Sequence, residues 1–240
     1  LGGVGGVHLL TLTRLGIGNF RIADFDRFDI ANFNRQAGAR MDTVGRPKVE
    51  IMAAMARDIN PELNITGFPE GVTPQNVQDF VANTDVYVDG LDFFAFDARA
   101  MVFAECAGRS IPAVTVAPLG MGAALLNFLP GGMSFEDYFG WHGCTDEEKA
   151  LRFFLGLSPA GLARGYLVDR SAVQFSARRG PSTPMACEIC AGVAATEVLK
   201  IVLKRGKVWS APHGVHFDAY RNKLVRTWRP GGHRNPLQRL

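Results

Sequence analysis

Hydrophobic positions along this chain of 240 residues follow two alternating periods, and the alternation predicts a fold. Val7 to Arg14 is apolar at helical spacing and stops at Gly16 and Gly18, a helix followed by breakers. Phe20 to Asp24 is a short apolar run ending in an acid, the pattern of a buried strand. Lys48 to Ile59 returns to helical spacing through Val49, Met52, Ala53 and Ala56, and Asn60-Pro61 closes it. Leu63 to Phe68 alternates as a strand. Thr73-Pro74 opens a short helix reaching Ala82, with Pro74 at its first position. Asp85 to Asp89 reads as a second strand ending in acid, Ala95 to Ala107 as a helix, and Ile111 to Ala117 as a strand behind the breaker Gly108.

Strands alternating with helices in this way predict an α/β fold, Rossmann-like and doubly wound, with a mainly parallel sheet. Ligands of such sheets bind beyond the carboxyl ends of the strands, where Asp24, Asp26, Asp89 and Asp92 fall. The second half has a different grain. Met121 to Leu129 is apolar and ends at Pro130-Gly131-Gly132. Met133 to Pro184 is mixed, aromatic at Phe135, Tyr138, Phe139 and Trp141, then helical from Glu147 to Leu155. Ala186 to Leu203 is the strongest helix, with Lys200, Lys204 and Arg205 at the end where the dipole favours cations. Val208–Ser210, Val215–Ala219 and Leu224–Trp228 predict a C-terminal antiparallel extension. The expected organisation is a nucleotide-binding unit over 1–130, a crossover, acceptor-side segment over 131–185, and a helix with short strands over 186–240 that completes the same domain. The chain opens LGGVGGVHLL, a glycine turn with no strand before it, so the expectation is a fragment whose first strand is absent.

Composition narrows the classes. Apolar residues make up 47% and charged residues 20%, which suits a soluble globular unit. With 26 Lys+Arg against 23 Asp+Glu the net charge is +3, too balanced to favour nucleic acid or a membrane surface, although a fragment's charge leaves tRNA open. No run approaches the ~20 apolar residues of a membrane span, and nothing reads as a signal peptide. The four cysteines are too few for a disulfide-built fold and suit a reducing, cytoplasmic setting.

Candidate chemistry begins at Gly2-Gly3-Val4-Gly5-Gly6. Such a run is either a tight strand–helix turn or a phosphate cradle, in which bare backbone N–H groups and a helix dipole meet an anion. Asp24 follows at about the 20-residue spacing of a ribose-binding carboxylate. Asn32, Asn34, Arg35 and Gln36 come next, and Lys48 stands at a helix start. A dinucleotide dehydrogenase has no need of two further cations before the cradle, whereas a triphosphate does. Taken singly, Lys48 is as readily a solvated lysine and Arg35 a loop ion pair; the ordered set is what points to ATP.

These blocks resemble the ThiF/MoeB/HesA family, the adenylating relatives of ubiquitin-activating enzymes. The resemblance rests on GGVGG, RLGIGNFRIADFDRFDIANFNRQ, GRPKVE, INPELNI and DVYVDGLD, is close over residues 1–130 and looser over Ala186–Leu203. It implies an ATP-binding set of Gly2, Gly3, Gly5, Asp24, Asp26, Asn32, Arg35, Lys48 and Asp92. Asp24 would bind the ribose, Arg35 and Lys48 the phosphates, and Asp92 the Mg²⁺, with Arg35, Lys48 and Asp92 the catalytic residues. The implied reaction adenylates a carboxylate and releases pyrophosphate. The implied acceptor is the tail of a ubiquitin-like or sulfur-carrier protein, a peptide C-terminus or, in one branch, a modified tRNA nucleoside; the implied assembly is a homodimer.

Departures from the family pattern stand beside it. Phe93 follows Asp92 where Asn is usual, and Ala31 stands where Ser is common. The family's structural zinc uses two CxxC pairs, and this chain has one, Cys187-Glu-Ile-Cys190; His142 and Cys144 are the nearest further ligands, and packing is the competing role for Cys187 and Cys190. Cys144, in WHGCTDEE, is the candidate for a transferable thiol, with Cys187 its competitor and an incidental loop cysteine the plain reading. The basic tail holds His213, His216 and His233; the first two offer a weak metal spacing, and a solvated sheet edge is the plainer reading. Two further readings use the same turn: an NAD(P)-dependent oxidoreductase, which leaves Arg35, Lys48 and Asp92 without a task, and a non-catalytic nucleotide-binding scaffold. Ligand preference separates them.

Overall fold

The computed structural model describes residues 1–166 and 182–236. Residues 167–181, within the expected crossover segment, and 237–240 lie outside the described residues.

The N-terminal half builds as the periodicity predicts. Helix α1 (Gly5–Arg14) is followed by β1 (Asn19–Ala23), α2 (Lys48–Ile59) and β2 (Asn64–Phe68). α2 buries Val49, Ile51, Met52, Ala53 and Ala56 on one face against Leu9 of α1 and Ile22 of β1. Its stop is physical: Pro61 disfavours helical backbone at Asn60, whose φ/ψ is extended. A short helix α3 (Val77–Phe80), β3 (Tyr87–Asp89), α4 (Phe96–Gly108) and β4 (Ala113–Leu119) follow. β1 pairs with β2 and β3 with β4, both parallel. β1 and β3 belong to separate sheets, with a slot of about 600 Å³ between them, lined by Leu9, Leu12, Ile22, Val86 and Val88.

β5 (Gly122–Phe128) turns back on β4 as an antiparallel hairpin through Gly120, at φ +61°. The antiparallel extension therefore begins earlier than the C-terminal strands that predict it. It continues through β6 (His213–Asp218) and β7 (Lys223–Trp228), giving the order β3-β4-β5-β6-β7. The fold is mixed α/β, parallel in its N-terminal half and antiparallel in the extension.

Two layers cover this sheet. On one face lies α7 (Pro184–Val202), with Pro184 at its first turn. Its small buried residues Ala186, Cys187, Cys190, Ala191 and Ala194 bring it close onto Val114, Val116, Ala123 and Leu125. On the other face α5 (Phe135–Phe139) and α6 (Asp146–Leu157) join an aromatic core in which Phe135, Phe139, Trp141 and Phe153 meet Phe103 and Phe128. Ring centroids there are 4.4–6.4 Å apart at tilted and edge-on angles, each pair adding about 0.5–1.5 kcal/mol beyond its buried area. Ser134 and Thr145 start these two helices with capping boxes.

Two expected elements differ. The helix expected from Pro74 to Ala82 spans only Val77–Phe80, because residues 73–76 form a turn in which Asn76 Oδ1 accepts the Thr73 N–H. Val208–Ser210 is not a strand: the Asn127 side-chain amide donates to the Trp209 carbonyl, and the Ala211 N–H goes to the Asn127 carbonyl. No helix among the described residues is long and apolar enough to cross a membrane.

Candidate nucleotide site

The glycine turn sits between the carboxyl ends of β1 and β3. Asp24, just past β1, accepts the Gly2 N–H at 3.2 Å and the Asp26 N–H at 2.9 Å, which ties the turn to the strand end. Past β3, Gly90 lies against Gly5: a Cβ on Gly90 would stand 2.8 Å from the Gly5 Cα. A Cβ on Gly2, whose φ is +20°, would stand 2.8 Å from the Gly90 carbonyl oxygen. Only bare backbone fits here. No side chain caps the start of α1; the Gly6 N–H is taken by the Leu1 carbonyl at 2.8 Å, and the positive end of the dipole lies at the glycine turn.

Arg35 reaches the same place, since a Cβ on Gly3 would meet its Nε at 3.3 Å. Its guanidinium donates to Asn34 Oδ1 at 2.8 Å and to the Ala31 carbonyl at 3.3 Å. The loop that carries it begins with a capping box, in which Asn32 Oδ1 accepts the Asp29 N–H and Asp29 Oδ1 accepts the Ala31 N–H. Asn32 is thus engaged in shaping the loop. Lys48, at the first position of α2, is 4% exposed and pairs at 3.0 Å with Asp26, whose carboxylate stays half exposed. Asp92 is exposed and near the turn: its backbone nitrogen is 3.6 Å from where a Gly2 Cβ would be, and its Oδ1 accepts the Phe94 N–H at 3.0 Å.

The residues behind Asp92 carry what the sequence reading missed. Asp89, read as a strand-end acid facing ligand, is buried instead as the partner of Arg99 at 2.9 Å, with side-chain exposures of 2% and 3%. Thr115 Oγ1 and the Leu91 N–H also donate to Asp89. The Arg99 fork donates to the carbonyls of Leu91, Asp92 and Phe93, so one buried cation shapes the whole loop that bears Asp92. Phe153 of α6 covers that guanidinium at 4.6 Å and packs on Phe93 at 5.1 Å. An Arg on a largely apolar helix, seven residues past Asp92, was the available signal.

The cysteines lie apart. Cys187 and Cys190 are buried with Val4 and Val7 beneath the glycine turn. Burial pushes the Cys187 thiol up, against the opposing pull of Ser182 and Arg35, so it remains a thiol at neutral pH. Cys144 lies elsewhere, donating to the Gly140 carbonyl and lining, with His142, Trp141 and Phe103, a cavity of about 620 Å³ that none of Arg35, Lys48 or Asp92 lines. Among the described residues no group of three or more His, Cys, Asp or Glu gathers as a metal site, so Cys187 and Cys190 do not meet His142 and Cys144 around one ion. The three histidines also separate: His216 is buried 3.3 Å from Ser158 Oγ, His213 faces outward, and His233 contacts the Asp137 carbonyl.

Comparison with known proteins follows this geometry. The ThiF family model matches residues 1–240. The chain is 36% identical over 125 residues to the tRNA threonylcarbamoyladenosine dehydratase of Bacillus subtilis, covering 52% of this chain and 47% of that protein. It is 29% identical over 130 residues to the sulfur carrier protein ThiS adenylyltransferase of Escherichia coli, covering 54% and 51%. It spans about half the length of these curated relatives. Its fold is similar to that of E. coli MccB crystallised with ATP, at a TM-score of 0.68 and 19% identity, over 98% of this chain and 62% of the other.

Proposed function

The chain belongs to the ThiF family, and on that premise we propose that it is an ATP-dependent adenylyltransferase that activates a carboxylate and releases pyrophosphate. One observation supports the proposal: Arg35 and Asp92 lie against a glycine turn that admits only backbone, and Asp24 ties that turn to Asp26, the partner of Lys48. A dinucleotide site would leave these two cations and Asp92 without a task.

The chemistry follows from the charges. A carboxylate nucleophile is already ionised at neutral pH, so the site needs no base. It must hold the carboxylate in line with the α-phosphorus and offset the charge building on the leaving pyrophosphate. The bare backbone of the glycine turn, the dipole of α1 and the Arg35 guanidinium would bind phosphate oxygens. Lys48 is held by Asp26 and buried, and in that drier setting its charge acts more strongly than it would in bulk water. Asp24, already accepting from the glycine turn, is the residue that would accept the ribose hydroxyls. Asp92 is the residue that would hold Mg²⁺. That ion takes most of its ligands from phosphate and water, so a single carboxylate suffices, and when bound it neutralises phosphate charge.

Two acceptor classes are supported by relatives: a carrier-protein tail, from the ThiS adenylyltransferase, and a tRNA nucleoside, from the dehydratase. Pyrophosphate exchange into ATP tests the core of the proposal. Lys48→Ala and Asp92→Ala should each abolish exchange while circular dichroism stays native, because both side chains border solvent or an exposed partner. Exchange retained in both variants would sink the assignment.

A further inference from the structure

The near-neutral total conceals a polarised molecule. Beyond Glu197 the one acid is Asp218, which is buried and accepts the Tyr166 hydroxyl at 2.5 Å. Over the same stretch Lys204, Arg205, Lys207, Lys223 and Arg226 are exposed.

The β6–β7 hairpin sorts its side chains by face. Gly214, His216 and Asp218 turn inward and are buried. On the outer face, which continues the α7 side of the sheet and where Val215 packs on that core, His213 stands opposite Trp228, Val215 opposite Arg226, and Phe217 opposite Leu224. Trp209 joins this face, its ring 5.1 Å from that of His213, and the His213 ring lies nearly parallel to Trp228 at 22° and 6.3 Å. Two cations are interleaved: Lys207 Nζ is 3.8 Å above the Trp209 ring and Arg226 Cζ 5.3 Å from it. Trp228 is nevertheless 65% exposed on the edge strand of the sheet.

A large aromatic left this open, on a hairpin whose one acid, Asp218, is buried, marks a binding face. Flat π-faces alternating with cations match a ligand that alternates flat rings with phosphates. We propose that the outer face of the β6–β7 hairpin docks single-stranded nucleic acid, its bases stacking on Trp228 and His213 and its phosphates meeting Arg226 and Lys207. A duplex hides its ring faces and would use the cations alone. A second copy of this chain fits poorly, because a two-fold contact would set Lys207 and Arg226 against themselves. The binding does not depend on the adenylylation reading. Joined to it, the surface makes a nucleoside-borne carboxylate the acceptor.

Fluorescence anisotropy without ATP tests this, using a labelled oligouridine 12-mer, the thymidine equivalent, a duplex of equal length and heparin. Wild-type protein should prefer the single strands, the two sugars telling RNA from DNA. Trp228→Ala should weaken single-strand binding roughly tenfold or more, with Trp228→Phe restoring most of it. Arg226→Ala should lower the log–log salt slope by about 0.7. Three results would overturn the proposal: no oligonucleotide binding at low salt, equal affinity for duplex or heparin with no response to Trp228→Ala, or a wild-type dimer that Trp228→Ala dissociates while oligonucleotides do not bind. Pyrophosphate exchange by Trp228→Ala is read separately: unaltered exchange with lost oligonucleotide binding tells failure of this surface from failure of the ATP site.

Discussion

Replacing Arg99 by Met keeps the bulk of the side chain and removes the charge that organises the Asp92 loop. The structure sets the size of the effect. Asp89 would keep Thr115 Oγ1 at 2.9 Å and the Leu91 N–H at 3.2 Å, but its negative charge would have no cation at 2% exposure. Three loop carbonyls would lose their donor at the same time. Breaking a pair buried this completely costs about 3–5 kcal/mol, because one charge is left uncompensated. With an m-value of about 3 kcal/mol/M for a chain of this size, the urea midpoint should fall by roughly 1–1.7 M. Asp89→Asn combined with Arg99→Met removes both charges and should recover about 1–3 kcal/mol relative to the sum of the single changes. Arg99→Lys separates stability from positioning. An ammonium can still pair with Asp89, yet it lacks the planar fork that reaches three carbonyls. It should therefore keep most of the stability while raising KM for ATP·Mg²⁺ and slowing pyrophosphate exchange. An Arg99→Met loss below about 1 kcal/mol, or strict additivity in the double variant, would refute the reasoning.

Other outcomes follow from single residues. Burial on α1 pushes the His8 imidazole down to about 4, with the Asp89 carboxylate opposing the shift, so the native state holds it neutral. Its contribution to stability is present above pH 6.5 and is lost as pH falls towards 4, about 3 kcal/mol in all, so pH-dependent urea titrations of His8→Phe should be flatter across that window. Gly90→Ala sets a methyl 2.8 Å from the Gly5 Cα, a backbone contact with no side chain to yield. It should cost about 1–3 kcal/mol and weaken ATP binding measured by calorimetry. Ala194→Leu forces α7 away from the strands it lies on, and its thermal midpoint should drop by several degrees, as about 1–3 kcal/mol implies.

What the sequence made legible was local. α2 could be read because its apolar positions keep one period and a proline marks its end. The glycine turn, Arg35, Lys48 and Asp92 could be read because each lies in a block whose order is informative. The Asp89–Arg99 pair could not, since residues ten apart meet only when β3 and α4 pack, and an arginine in a helix is ordinarily expected at the surface. The β4–β5 hairpin escaped for a related reason: Gly120-Met121 has the leading glycine of a two-residue loop but not the stronger Asn-Gly or Asp-Gly signal, and β5 is buried along its whole length, which removes the polar alternation that identifies a strand. Val208–Ser210 has strand composition, but Asn127 takes the groups a ladder would need.

The hairpin at the sheet edge has a consequence for how such a protein diversifies. Its inward positions are committed to the core, while the outward ones, Val215 apart, meet mainly one another, Trp209 and solvent. Substitution on one side is therefore nearly neutral for the other, and duplicated copies could drift in recognition without passing through unfolded intermediates. A one-residue insertion before β7 would exchange the two faces along its length and end that independence. Length changes in the turn at 219–222 should accordingly be rarer among descendants of this chain than changes at 224, 226 and 228.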